Sequence, residues 1–244
     1  GYPNAPQFKY PLLPYPQGVI ILNGATIENA VTAINLWKPD DYTMTGGIVE
    51  AYNSTFKNNV MSAHALYYRN FNPIYPTQEL DYYGIFTNCS FIIDAQYLGD
   101  KTFYKHVDLC HVRGLQFNGC TFSVSHDATN ISTWNVGLAA YNAGFYVRPY
   151  CPSHTIPCVD ADSCRFSGFN WAIGVWAPAQ VIDPPVFING THFNDNSTGI
   201  YINEHDYAVI LENYLEAGYV APYHGNCDFA DGVGIDIHES IGFV

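Results

Sequence analysis

Six times along the chain a small residue, one variable residue and a phenylalanine follow closely on an Asn, Asp or Gly. The stretches are "NSTF" (53–56), "NCSF" (88–91), "NGCTF" (118–122), "DSCRF" (162–166), "NGTHF" (189–193) and "GNCDF" (225–229). The small residue is Ser54, Cys89, Cys120, Cys164, Thr191 or Cys227, and the aromatic is Phe56, Phe91, Phe122, Phe166, Phe193 or Phe229. A local signature that returns at intervals of tens of residues marks a stack of similar units. The first five phenylalanines are spaced by 27 to 44 residues, and Leu215, after "ENY", occupies the same place 22 residues beyond Phe193. A shortest interval near 22 with variable excess fits one coil of three short strands joined by loops of differing size.

Between the signatures run strand-like stretches such as "GGIVEAY", "YYGIFTN", "VRGLQFN" and "TGIYINE", broken by Gly, Asn and Asp. No segment holds a helical apolar period over three turns. Charged residues are only 13% of the 244, against 20 Tyr and 15 Phe, a balance that suits sheet rather than solvated helix. The pattern predicts an all-β, right-handed parallel β-helix. Like positions of successive coils then stack about 4.8 Å apart. Asn at a corner tolerates left-handed backbone and can bond along the stack. Strand side chains alternate, so a residue two before a phenylalanine shares its face. Cys89, Cys120, Cys164 and Cys227 are therefore expected to point inward beside Phe91, Phe122, Phe166 and Phe229, in slots that admit something small. Buried, reduced, structural cysteine is their expected role; zinc ligation lacks the usual close Cys pairs.

Cys151 and Cys158 flank "CPSHTIPC" inside the longest interval. A loop-closing disulfide and two free thiols are both open there. Cys110 receives no role. The long intervals place loop insertions near 67–81, 125–161 and 217–224, and loops on a rigid scaffold are where binding usually resides. Residues 1–17, rich in proline, read as an extended connector to a single domain over 18–244. With no initiator methionine and a strand-like C-terminus, the chain reads as a segment of a longer, processed protein.

A net charge of −13 with nine scattered basic residues argues against a nucleic-acid partner, whose phosphates need clustered Lys and Arg. No apolar run is long enough for a membrane-spanning helix. Asp228, Asp231, Asp236 and Glu239, flanked by His224 and His238, are weak candidates for a calcium site, although "DFADGVGID" misses the ligand spacing of an EF-hand; solvated corners are the alternative. No Asp-Asp pair follows an Asn-containing strand motif, the adjacent Asp40 and Asp41 reading as surface after Pro39, and no nucleophile elbow or P-loop occurs. No catalytic residue is assigned. Trp134, Trp171, Trp176 and the tyrosines Tyr67, Tyr68, Tyr75 and Tyr223 are candidate platforms for sugars or a partner protein, or else packing residues.

The stretches "GATIENAVTAINLWKPDDYTMTGGIVEAYNSTFKNN" (24–59), "GIYINEHDYAVILENYLE" (199–216) and "GVGIDIHESIGFV" resemble coils of secreted Bacteroidota proteins with right-handed β-helix repeats, the cargo of type IX secretion. The resemblance implies export to the cell surface or beyond. It carries over no catalytic residue. The expected function is a noncatalytic extracellular scaffold or adhesin module. The alternative is a carbohydrate-active (lyase or hydrolase) or carbohydrate-binding β-helix domain. Partners would be a surface protein or glycan; no cofactor is called for beyond possible calcium.

Overall fold

A computed structural model describes residues 19–37, 48–66, 84–97, 99–153, 158–177, 185–217 and 233–240. The described residues form 21 strands and no helix. They lie in three parallel sheets of seven strands each, and every third strand in sequence joins the same sheet. The chain is thus a parallel β-solenoid, one rung passing through all three sheets before the next begins. Sheet 1 starts with Val19–Asn23 and ends with Ala208–Leu211. Sheet 2 runs from Thr26–Glu28 to Tyr214–Ala217, and sheet 3 from Thr32–Trp37 to Val233–His238.

The corner between sheets 1 and 2 shows why the repeat looks as it does. Gly24, Asn53, Asn88, Gly119, Gly190 and Glu212 all hold positive φ there, a conformation that Gly and Asn adopt most cheaply. The first five of these corner amides bond to the next rung, as Asn53 N–H does to Thr87 O (3.0 Å) and Asn88 N–H to Asn118 O (2.8 Å). The Asn88 side-chain amide also donates to Asn53 Oδ1 at 2.8 Å.

The next residue is the small one, and its role is polar as well as steric. Ser54 Oγ accepts the Ala25 N–H from the preceding rung (3.2 Å) and donates back to Tyr52 O (2.8 Å). Cys164 Sγ likewise accepts the Cys120 N–H (3.2 Å), and its one S–H has Arg148 O and Phe117 O within reach, both at 3.4 Å. Thr191 Oγ1 donates to Asn189 O (3.1 Å), and Asn213 Oδ1 accepts the Thr191 N–H (3.0 Å). One side chain therefore satisfies a backbone amide that would otherwise be buried without a partner. Ala25 stands at this place in the first described rung, where no preceding rung among the described residues offers an amide.

The phenylalanines form a continuous interior stack. Ring centroids are 4.9 Å apart for Phe56–Phe91, 4.5 Å for Phe91–Phe122, 4.3 Å for Phe122–Phe166 and 5.5 Å for Phe166–Phe193. All five are buried. Phe86 and Phe117 from sheet 1 stack at 5.2 Å and meet the column edge-on, the geometry aromatic rings favour. Cys89, Cys120 and Cys164 are buried beside them. Burial pushes the Cys120 thiol well up and the Cys164 thiol to about 12, so both stay protonated and unreactive. Cys227 and Phe229 lie outside the described residues.

Sheet 3 departs from simple alternation. Its register passes from Val136 to Leu138, from Trp171 to Ile173 and from Thr198 to Ile200, stepping over Gly137, Ala172 and Gly199. Those skipped residues turn inward and must be small. A Cβ on Gly137 would lie 2.5 Å from Ala172 O and 2.9 Å from Phe166, and one on Gly199 2.6 Å from Gly234 O. His106 occupies the same column between Ser62 and Gly137. Its ring is buried among Phe103, Phe91, Phe122 and Phe169. Nδ1 lies 3.2 Å from Ser62 Oγ and Nε2 3.2 Å from Ser123 O. Burial holds its pKa down at about 4, and the ring is neutral at pH 7.

The loop expected over 125–161 is much narrower. Ile131–Tyr141 and Gly144–Arg148 are strands of sheets 3 and 1. The excess of that rung sits in residues 149–164 and in a bulge at 132–135, which hides the period-two pattern from a reading of the sequence. Within the insertion Cys151 and Cys158 are disulfide-bonded, with Cα atoms 5.9 Å apart, and Tyr150 and Asp162 pair antiparallel at its neck. The connector 1–17, the loop 67–81 and all but Ala217 of the loop 217–224 lie outside the described residues.

Candidate functional site

The shift in sheet 3 decides which side chains face solvent. Simple alternation would put Trp171 on the same face as Ile173 and Val175, inside the solenoid. With Ala172 turned inward, Trp171 stands on the outer face instead. Its neighbours there are aromatic. Trp171 stacks on Tyr201 of the next rung at 4.9 Å and 14°. Trp176 lies 5.5 Å from Trp171 and 5.7 Å from Tyr201. Trp134, from the preceding rung, stands 5.4 Å from Trp171 and is 59% exposed.

Two local devices build this surface. The first is the bulge at 132–135, where Trp134 N–H donates to Ser132 Oγ (3.1 Å) and the Asn135 side chain donates to Ser132 O (2.8 Å). Four residues then oppose a single step of the neighbouring strand, and Trp134 is extruded. The second is Gly174, the outward residue between the two tryptophans of its strand. The site a Cβ would take at Gly174 is filled by the six-membered ring of the Trp176 indole. Trp176 therefore lies flat along the sheet instead of standing off it.

Polar groups frame the aromatic surface. Beyond Tyr201, the His238 ring lies 5.6 Å away and its Nε2 pairs with Asp236 Oδ1 at 2.9 Å. On earlier rungs of the same outer face, Lys105 Nζ reaches Asp108 Oδ1 at 2.8 Å, and His64 bridges Asn35 Oδ1 (3.1 Å) and Asp108 Oδ2 (3.8 Å). Tyr141, half-exposed, packs edge-on against His111 at 5.5 Å. Flat ring faces with carboxylate, imidazole and amide groups at the margins bind ligands that are apolar on one side and rich in hydroxyls around the edge.

Of the acidic set, Asp236 belongs to this frame and Glu239 sits at the following corner with positive φ. Asp228 and Asp231 lie outside the described residues, as do Tyr67, Tyr68, Tyr75 and Tyr223. The three ligand-type residues that come together among the described residues are Cys151, Cys158 and Asp160. There the two sulfurs are bonded to each other, and Asp160 Oδ1 accepts from Ser153 Oγ at 2.6 Å. No helix among the described residues is long and apolar enough to cross a membrane. Comparison with family models and with curated proteins finds no match.

Proposed function

We propose that the solenoid is a noncatalytic scaffold that presents the outer face of sheet 3 as a carbohydrate-binding surface. The observation that carries the reading is the cluster Trp134, Trp171, Trp176 and Tyr201, held on an outer face by a bulge, the inward turn at Ala172 and a glycine. Trp134, 59% exposed beside the half-buried Trp171 and Trp176, forgoes stability that burial would supply, and its placement is best explained by a ligand. A pyranose offers the matching chemistry: a C–H-rich face for the rings, and hydroxyls for Asp236, His238 and the amides at the margin. The high negative charge favours neutral glycans over polyuronates, which it repels. Export fits this reading, since the Cys151–Cys158 disulfide suits an oxidising compartment. The type IX route in Bacteroidota rests on the resemblance of the coils alone.

The test is affinity electrophoresis through gels containing cellulose derivatives, xylan, mannan or β-1,3-glucan, one per gel, with tryptophan fluorescence read in parallel. The wild type is retarded by at least one neutral polysaccharide, and Trp171→Ala weakens that retardation roughly tenfold or more, the effect expected for a central aromatic anchor. Equal mobility in every gel, with unchanged fluorescence, would sink the proposal.

A further inference from the structure

The solenoid's corners between sheets 2 and 3 differ in length, and the difference opens a slot. In the rung of Thr121–Val124 the corner spans residues 125–130; in the next rung it is 168–170; in the one after it is the single residue Ser197. Adjacent rungs are about 4.8 Å apart, so the long corner overhangs a short one. The resulting cavity has a volume of about 530 Å³, within the usual range for small-ligand sites. Gly168 and Phe169 line it, and Gly168 (φ +82°) has no space for a side chain because its Cβ would strike the Val124 backbone.

This slot joins the aromatic surface directly. Its lining passes through Thr133 and Asn135, on either side of Trp134, and through Asn170, which precedes Trp171. The rest mixes apolar groups with hydroxyl, imidazole and carboxylate groups, among them Ser132, Ser197, His126, Asp127 and Asp195. Resting on the reading of sheet 3 as a glycan surface, we propose that the slot is a second subsite that receives the next sugars of the same chain. The ligand is then an extended neutral oligosaccharide, which lies on Trp171 and Tyr201, passes Trp134 and ends among polar groups in the slot. Sugar hydroxyls hydrogen-bond with Ser132 and Asn170, while Asp127 and Asp195 accept hydrogen bonds from hydroxyls and exclude uronate or sulfated chains by repulsion.

The experiment is calorimetric titration of the full chain with cello-, xylo-, manno- and β-1,3-gluco-oligosaccharides, each from monosaccharide to hexasaccharide. For the series that binds, affinity rises roughly tenfold or more between disaccharide and the longest oligomer. Two bulky variants fill the slot from opposite walls, Ser197→Trp and Thr129→Trp, the latter in the corner loop, where it leaves the rungs intact. Both remove the chain-length gain and leave disaccharide affinity at the wild-type value, with thermal unfolding as a check on the fold. Trp171→Ala lowers affinity for short and long ligands alike. If either correctly folded slot variant keeps the full gain, or if affinity does not rise with length, the slot proposal is overturned while the platform reading stands. If Trp171→Ala leaves every affinity unchanged, or no series binds, the platform reading falls and takes the slot with it.

Discussion

At the scale of single residues, the corner position that admits only a small side chain is also an acceptor. Cys164 Sγ holds the Cys120 N–H, as Ser54 Oγ holds the Ala25 N–H. This gives an ordering opposite to that of an ordinary apolar cysteine. In urea unfolding, Cys164→Ala is expected to cost about 1–3 kcal/mol, because it leaves a buried amide without its acceptor, whereas Cys164→Ser keeps the bond and costs less. A larger loss for serine than for alanine would refute the acceptor role. His106 supplies a second residue-level prediction. An unfolded histidine takes its proton near pH 6.5, while the folded ring resists until about pH 4. The unfolded chain therefore binds the extra proton first as pH falls. Stability declines between those two values and levels off below, a total of about 3 kcal/mol from this group. Comparing wild type with His106→Gln across that window isolates it: the variant's stability should fall less steeply. The Asn and Gly corners and the phenylalanine column were legible in the sequence because they are local and recur. The histidine was not. It sits in a column of inward-turned residues in sheet 3 that shows only once the rungs are aligned.

At the scale of elements, the strand Trp171–Trp176 shows where alternation misleads. Read with period two, Trp171 belongs with Ile173 and Val175 inside; the inward turn of Ala172 sends it outside. No sequence pattern announces that shift, although the run of small residues Gly137, Ala172, Gly199 and Gly234 is its trace once the rungs are aligned. Trp134 is hidden for a related reason, since its bulge breaks the strand pattern that would have revealed Ile131–Tyr141. Gly174→Val tests the element directly. Its branched side chain would occupy the space of the Trp176 ring, so the indole must lift from the sheet. Glycan retardation should drop at least as far as in a tryptophan-to-alanine variant. The circular dichroism spectrum should remain that of a β-solenoid. Retained binding would show that Trp176 need not lie flat. The slot was equally invisible beforehand, because it follows from a contrast in corner length between three rungs and not from any one motif.

At the scale of the whole molecule, interior residues are protected by rungs on both sides. Ile202 has a rung above and below and is 0% exposed, while Ile237, its partner in the last described rung, is 42% exposed. Ile202→Ala is expected to destabilise by about 2–5 kcal/mol and Ile237→Ala by much less, as chemical denaturation would measure; equal losses would mean that the terminal rung is covered in solution. Three corner amides that bond to side chains share a direction. Ala25 donates to Ser54, Cys120 to Cys164 and Thr191 to Asn213, always from an earlier rung to a later one. A nascent solenoid halted after any of these rungs therefore exposes an amide that only chain not yet made can satisfy. Completion of each coil sets the demand for the next. A chain emerging from its N-terminus therefore presents, at each of these three corners, an amide whose acceptor arrives with the rung that follows.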